Sequence, residues 1–190
     1  YDSEYVPVGK DQKQHLEMTR DMAEKLNHIY GEGLLKLPQD LILPEVAVVP
    51  GIDGQKMSKS YNNTIDIFAS YKELKSKVMR IVTDSTPLEA PKDPDKSVIV
   101  DLYKLFATPE EVEDMRQKFL AGGYGYGQAK KALLEKIWTY FEPYRARREE
   151  LLNNLDYVKQ VLREGSYRAR EQANRVMERV RDAVGLLRFR

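Results

Sequence analysis

Tyr5-Val6-Pro7-Val8-Gly9-Lys10-Asp11-Gln12 passes from β-favouring residues through a glycine into a segment of helical period. Apolar or small residues then recur at Leu16, Thr19, Ala23, Leu26 and Tyr30. Their spacing of three and four places them on one face of an amphipathic helix, which Gly31 ends. The unit is strand, glycine turn, helix. With no side chain at Gly9 the backbone can approach a ligand closely, the following helix N-terminus offers amide groups, and Asp11 can accept hydrogen bonds from ribose hydroxyls. The plainer alternative for an isolated G-x-D-Q string is that Asp11 only N-caps the helix.

Working outward, residues 34–44 are irregular and punctuated by proline, and Val46-Ala47-Val48-Val49 predicts a short buried strand. Pro50-Gly51-Ile52-Asp53-Gly54 excludes regular structure, so a mobile loop is expected from Pro50 to about Asn63. Inside it lies Lys56-Met57-Ser58-Lys59-Ser60. Two lysines three apart, with one hydroxyl between them and another just after, can surround a polyphosphate. Lysine supplies compact positive charge and serine supplies hydrogen bonds. Solvated Lys/Ser loops are common, but the full string K-M-S-K-S is rare by chance.

From Ser70 onward the period is helical. Ser70 with Glu73, and Thr108 with Glu111 behind Pro109, have the spacing of capping boxes. Helices are expected at about 70–83, 97–107, 109–120, 127–152 with a kink at Pro143, 156–164 and 166–184. A proline-rich link at 86–96 separates the first two. Gly122-Gly123-Tyr124-Gly125-Tyr126-Gly127 follows no strand, which makes it a connector between helices and not a phosphate cradle.

Composition narrows the classes. The 190 residues are 42% hydrophobic, enough for a buried core, and no apolar run approaches the roughly 18 to 20 residues of a membrane span. Nothing resembles a signal peptide, and the expected compartment is the cytoplasm. Without cysteine there is no disulfide framework, and His15 and His28 stand too far apart on one helix to share an ion, so no protein-held metal is expected. The net charge is only +1, yet residues 141–190 carry 12 Lys or Arg against 8 Asp or Glu, whereas residues 1–90 carry 11 against 14. Positive charge collects toward the C-terminal end.

The K-M-S-K-S string is similar to the signature loop of class I aminoacyl-tRNA synthetases, and the G-x-D-Q turn resembles the ATP-ribose segment of their tyrosyl and tryptophanyl branch. Further segments resemble bacterial tryptophanyl-tRNA synthetases: residues 6–15, Val82-Thr83-Asp84-Ser85, Gly123-Tyr124-Gly125 with Ala129-Lys130, and Ala173-Asn174-Arg175-Val176 through Gly185-Leu186. The resemblance covers essentially the whole chain. Lys10 departs from it, since the family often carries Glu there, but that contact is mainly through backbone.

The resemblance implies an α/β chain that is mostly α. Residues 1–68 would form the C-terminal part of a Rossmann-type catalytic domain, and residues 69–190 a helical anticodon-binding domain with C-terminal helices. It implies activation of L-tryptophan by ATP, taken as its Mg2+ complex, and transfer to tRNA(Trp), in an enzyme that works as a homodimer. Lys56 and Lys59 would neutralise charge on the pyrophosphate. Gly9, Lys10, Asp11, Ala47, Met57, Ser58 and Ser60 would complete the ATP site. Val6, Val8 and Gln12 resemble tryptophan-pocket residues, although Val6 and Val8 suit ordinary strand core as well. Arg145, Arg148, Arg168 and Arg175 are candidate tRNA contacts, since guanidinium groups suit phosphates and unpaired bases, while many such arginines simply pair with nearby glutamates.

A tyrosyl-tRNA synthetase and a non-catalytic RNA-binding module are the alternatives. Residues 9–15 and the Ala-Asn-Arg-Val segment favour tryptophan, and Asp11, Lys56, Ser58 and Lys59 argue for a working ATP site. No His-x-Gly-His string occurs. The expectation is therefore a portion lacking the N-terminal half of the catalytic domain, unable to charge tRNA by itself.

Overall fold

The computed structural model describes residues 1–43 and 49–186. The chain divides into two compact units, residues 1–47 with 151–190, and residues 48–150. The expected boundary lies after residue 68, whereas the units, divided by contact, leave residues 48–68 with the helices that come next.

In the first unit, β1 (Tyr5–Pro7) and β2 (Gln39–Leu41) pair in parallel with Val6 opposite Asp40, joined through α1 (Lys13–Tyr30). This is the expected strand-turn-helix, continued into a second strand. Leu16 and Ala23 of α1 are buried, and Gly31 closes the helix at a φ of 127°, where a Cβ would be strained. Asn27 replaces a missing backbone partner in the return segment, its Nδ2 donating to Leu35 O (2.8 Å) and its Oδ1 accepting from Leu35 N (2.7 Å). The same unit holds the long α7 (Leu155–Ala183), whose Arg179 Nε donates to Leu34 O (2.9 Å).

Two helices were expected where α7 runs unbroken through Gly165. Ser166 Oγ donates back to Arg163 O (2.8 Å) within the helix and so caps nothing.

The second unit packs α2 (Tyr71–Met79), α3 (Val98–Tyr103), α4 (Pro109–Ala121) and α5 (Tyr126–Tyr140) around a core that includes Leu74, Val78, Ile99, Phe119, Leu133 and Ile137. Both expected capping boxes form: Glu73 N donates to Ser70 Oγ and Glu111 N to Thr108 Oγ1, with the glutamates reaching back to the cap amides. A cap of this kind stabilises by about 1 kcal/mol. α6 (Glu142–Leu152) follows α5 after a break at Phe141, adjacent to the expected kink at Pro143. The link before α3 is fastened by Lys92, which is 3% exposed and donates to the carbonyls of Pro87 (2.9 Å), Leu88 (3.1 Å) and Ala90 (3.0 Å). Gly122 is required beside it, because a Cβ there would lie 2.3 Å from Glu89 O.

Of the expected strand at Val46–Val49, residues 46–48 lie outside the described residues. Val49 stands in no strand, and its carbonyl accepts from Met57 N (2.9 Å). None of the described helices is long and apolar enough to cross a membrane.

Candidate functional site

Glycine and proline leave residues 50–58 without helix or strand ladders, so their backbone groups must find partners one by one. Gly51 N donates to Gln55 O (2.7 Å), Gly54 N to Gly51 O (3.0 Å), and Gln55 N to Asp53 Oδ1 (3.0 Å). Pro50 and Lys56 form an isolated antiparallel bridge. The stretch expected to be a mobile loop is thus a hydrogen-bonded turn.

Asn63, 1% exposed, stands at its centre. Its Nδ2 donates to Asp53 Oδ1 (2.8 Å) and Lys56 O (2.9 Å), and its Oδ1 accepts from Ser58 N (2.7 Å). The Asn63 amide, chiefly, and the Gln55 backbone amide hold the Asp53 carboxyl below its ordinary pKa. Gly51 permits this arrangement, since a Cβ there would come within 2.3 Å of the Asn63 amide carbon.

Lys59–Tyr61 is a single turn of 3-10 helix. Ser58 Oγ caps it by accepting from Ser60 N (3.3 Å), which leaves its own O–H available to donate. Asn62 ends the turn in the left-handed region at φ 51°, and both its carbonyl and its Oδ1 lie 3.4 Å from Lys77 Nζ. Lys56, Lys59 and Ser60 are exposed, whereas Met57 is partly buried against the core of this unit. Beside the turn is an open cavity of about 610 Å3 whose lining includes Asn62, Thr64, Ser70, Lys77 and Arg80. The arrangement presents two cations and a hydroxyl on a backbone held from below, suited to an extended polyanion.

In the first unit, Gly9 precedes a 3-10 turn at Lys10–Gln12 and accepts from Gln12 N (2.9 Å). α1 begins only at Lys13, with Gln12 and not Asp11 in the cap position. Val6 lines an apolar cavity of about 540 Å3 with Leu16, Met22, Ala23, Leu26 and Leu35. Val8 is half-buried and Gln12 exposed. Ala47 lies outside the described residues.

The arginines divide by surroundings. Arg145 lies 3.6 Å over the Trp138 ring and donates to Trp138 O, while its Nη1 is buried with no hydrogen-bond partner among the described residues. Arg148 stands 5.4 Å over Phe68, Arg175 pairs with Glu171 one turn away, and Arg168 is exposed. Among the described residues no group of three or more His, Cys, Asp or Glu is placed to hold a metal ion.

Asn63 is the site residue that motif and spacing miss. Its sequence signal is only that a glycine-bearing turn needs one polar side chain to satisfy it, and residues 50–63 offer several.

Comparison with known proteins gives the site a context. Residues 1–142 match the family model for tRNA synthetases class I (W and Y). The tryptophan–tRNA ligase of Fusobacterium nucleatum is 57% identical over 187 residues, which cover 98% of this chain and 57% of that protein. That of Rhodopirellula baltica is 53% identical, covering 98% and 58%. The crystal structure of tryptophanyl-tRNA synthetase from Campylobacter jejuni complexed with ADP and tryptophan superposes with a TM-score of 0.81 at 44% identity, over 98% of this chain and 58% of that one. The chain therefore spans somewhat more than half the length of these relatives.

Proposed function

This chain belongs to the class I tRNA synthetases of the W and Y group, and from that membership we propose that it supplies the ATP-binding loop and the helical tRNA-binding part of an enzyme that charges tRNA(Trp) with L-tryptophan. The observation that carries the proposal is the built turn at 50–63, which presents Lys56 and Lys59 to solvent on a fastened backbone. A turn kept only for solubility has no need of a buried amide beneath it. Tryptophan is favoured over tyrosine because the two curated relatives above, more than half identical to this chain, are tryptophan–tRNA ligases.

The chemistry needs no covalent enzyme intermediate. The tryptophan carboxylate attacks the α-phosphorus of Mg-ATP, the bond to the bridging oxygen breaks, and pyrophosphate leaves. Negative charge grows on that leaving group, so cations fixed beside it lower the barrier more than they tighten ground-state binding. Lys56 and Lys59 take this role, with hydroxyl donors from Ser58 and Ser60. A ribose hydroxyl at the tRNA 3′ end then attacks the mixed-anhydride carbonyl and AMP departs.

Gly9, Lys10 and Asp11 are assigned to the ribose, and Ala47 and the exposed part of Met57 to the adenine. Val6, Val8 and Gln12 are assigned to the tryptophan. Arg148, Arg168 and Arg175 are assigned to tRNA, and Arg145 is included as the member that also braces Trp138. The working enzyme is proposed to be a homodimer.

In the full-length protein, Lys59→Ala should slow tryptophanyl-adenylate formation by about 10²-fold or more and leave tryptophan affinity within about twofold. Single-turnover rates with tryptophan titrations read both. Loss of tryptophan binding with an intact chemical step would contradict the assignment.

A further inference from the structure

Asn63 is more tightly specified than its place beside an exposed loop requires. Its planar amide has one donor group of two hydrogens and one acceptor oxygen. Around it stand two acceptors, Asp53 Oδ1 and Lys56 O, and one donor, Ser58 N. Only one of the two flip orientations satisfies all three, and it uses both hydrogens of the NH2. Its backbone is fastened as well, since Asn63 O accepts from Ile52 N (3.0 Å). Gly51 leaves the space it occupies.

Two of the three side-chain bonds go to the backbone of Lys56 and Ser58, on either side of Met57. Ser58 in turn caps the 3-10 turn that opens with Lys59. One buried amide therefore fixes the main chain from the first lysine to the residue before the second. These bonds go to main chain, and both lysines are exposed, so the amide holds the origins of their side chains.

We propose that Asn63 is a positioning residue for Lys56 and Lys59, setting the separation at which the two ammonium groups meet the pyrophosphate of ATP. This rests on the assignment of those lysines to ATP. A preorganised pair stabilises the developing charge without reordering the loop during the reaction, whereas a loosened backbone must order itself as the charge develops. The loss on removing Asn63 is therefore a loss of rate. Tryptophan binding, which does not use the turn, is left alone.

The test is a double-mutant cycle in the full-length protein, read by tryptophan-dependent ATP–pyrophosphate exchange. Asn63→Asp keeps the shape but puts a carboxylate against Asp53 and Lys56 O. It should lower kcat by about 10-fold or more with the KM for tryptophan unchanged, and in a Lys59→Ala background it should add no more than about threefold, because its effect passes through the lysines. Losses that multiply in the double variant, or a rate equal to wild type for Asn63→Asp, would overturn the positioning role while leaving the ATP assignment standing. Exchange unaffected by Lys59→Ala would instead defeat the ATP assignment, and this proposal with it. Should Asn63→Asp fail to fold, Asp53→Ala removes one of the three partners without adding charge. A loss of about fivefold that vanishes in the Lys59→Ala background supports the proposal, and a wild-type rate overturns it.

Discussion

At the scale of single residues, chemistry concentrated in side-chain type and spacing was readable in advance. Lys56, Ser58 and Lys59 stand in one contiguous string, and the structure leaves both lysines exposed on a built turn. Asn63 was not readable, because its three side-chain partners lie ten, seven and five residues away and meet only after the turn closes. Lys92 is hidden for the same reason, a charged residue buried because three carbonyls converge on it. Tyr126 gives a pH test of one such contact between distant residues. Burial first, and then its hydrogen bond to Asp84 Oδ1 (2.7 Å), push its phenol up to about 12. An unfolded tyrosine titrates near 10, so the folded value is the higher one. Stability linked to this group is present in full below pH about 10 and is lost as pH rises through about 12. Phenolate absorbance should therefore show a component titrating near 12 that disappears in Tyr126→Phe. A titration with nothing above the ordinary tyrosine range would contradict the burial.

Among elements, those with a local start signal were found and those lacking one were not bounded well. Ser70 and Thr108 marked α2 and α4 because a capping box is a contact between residues three apart. Pro143 marked the division between α5 and α6, since a proline tolerated in the first turn of a helix is costly in its interior. Gly165 misled. Glycine inside a helix costs only about 1 kcal/mol relative to alanine, less than the 29-residue α7 recovers from contacts such as buried Val176 and Arg179 on Leu34 O. The open space around Gly165 makes this measurable. Gly165→Ala should stabilise the unit containing α7 by about 0.5 to 1 kcal/mol in equilibrium denaturation. Destabilisation would mean that the helix is interrupted there.

At the scale of the whole chain, the family was legible because its motifs are contiguous strings spread from residue 6 to residue 186, and the family match over residues 1–142 agrees. The compact units were not legible. Residues 48–68 join helices that follow them, while α7 belongs with residues that begin the chain, and nothing in local composition records a contact between such distant segments. The most direct test is ATP–pyrophosphate exchange by the full-length protein with tryptophan and with tyrosine as the only amino acid supplied. Exchange should depend on tryptophan and run at least about 10²-fold less efficiently with tyrosine, a ratio within what a shaped side-chain pocket achieves. Exchange absent with tryptophan, or equal with tyrosine, would contradict the account.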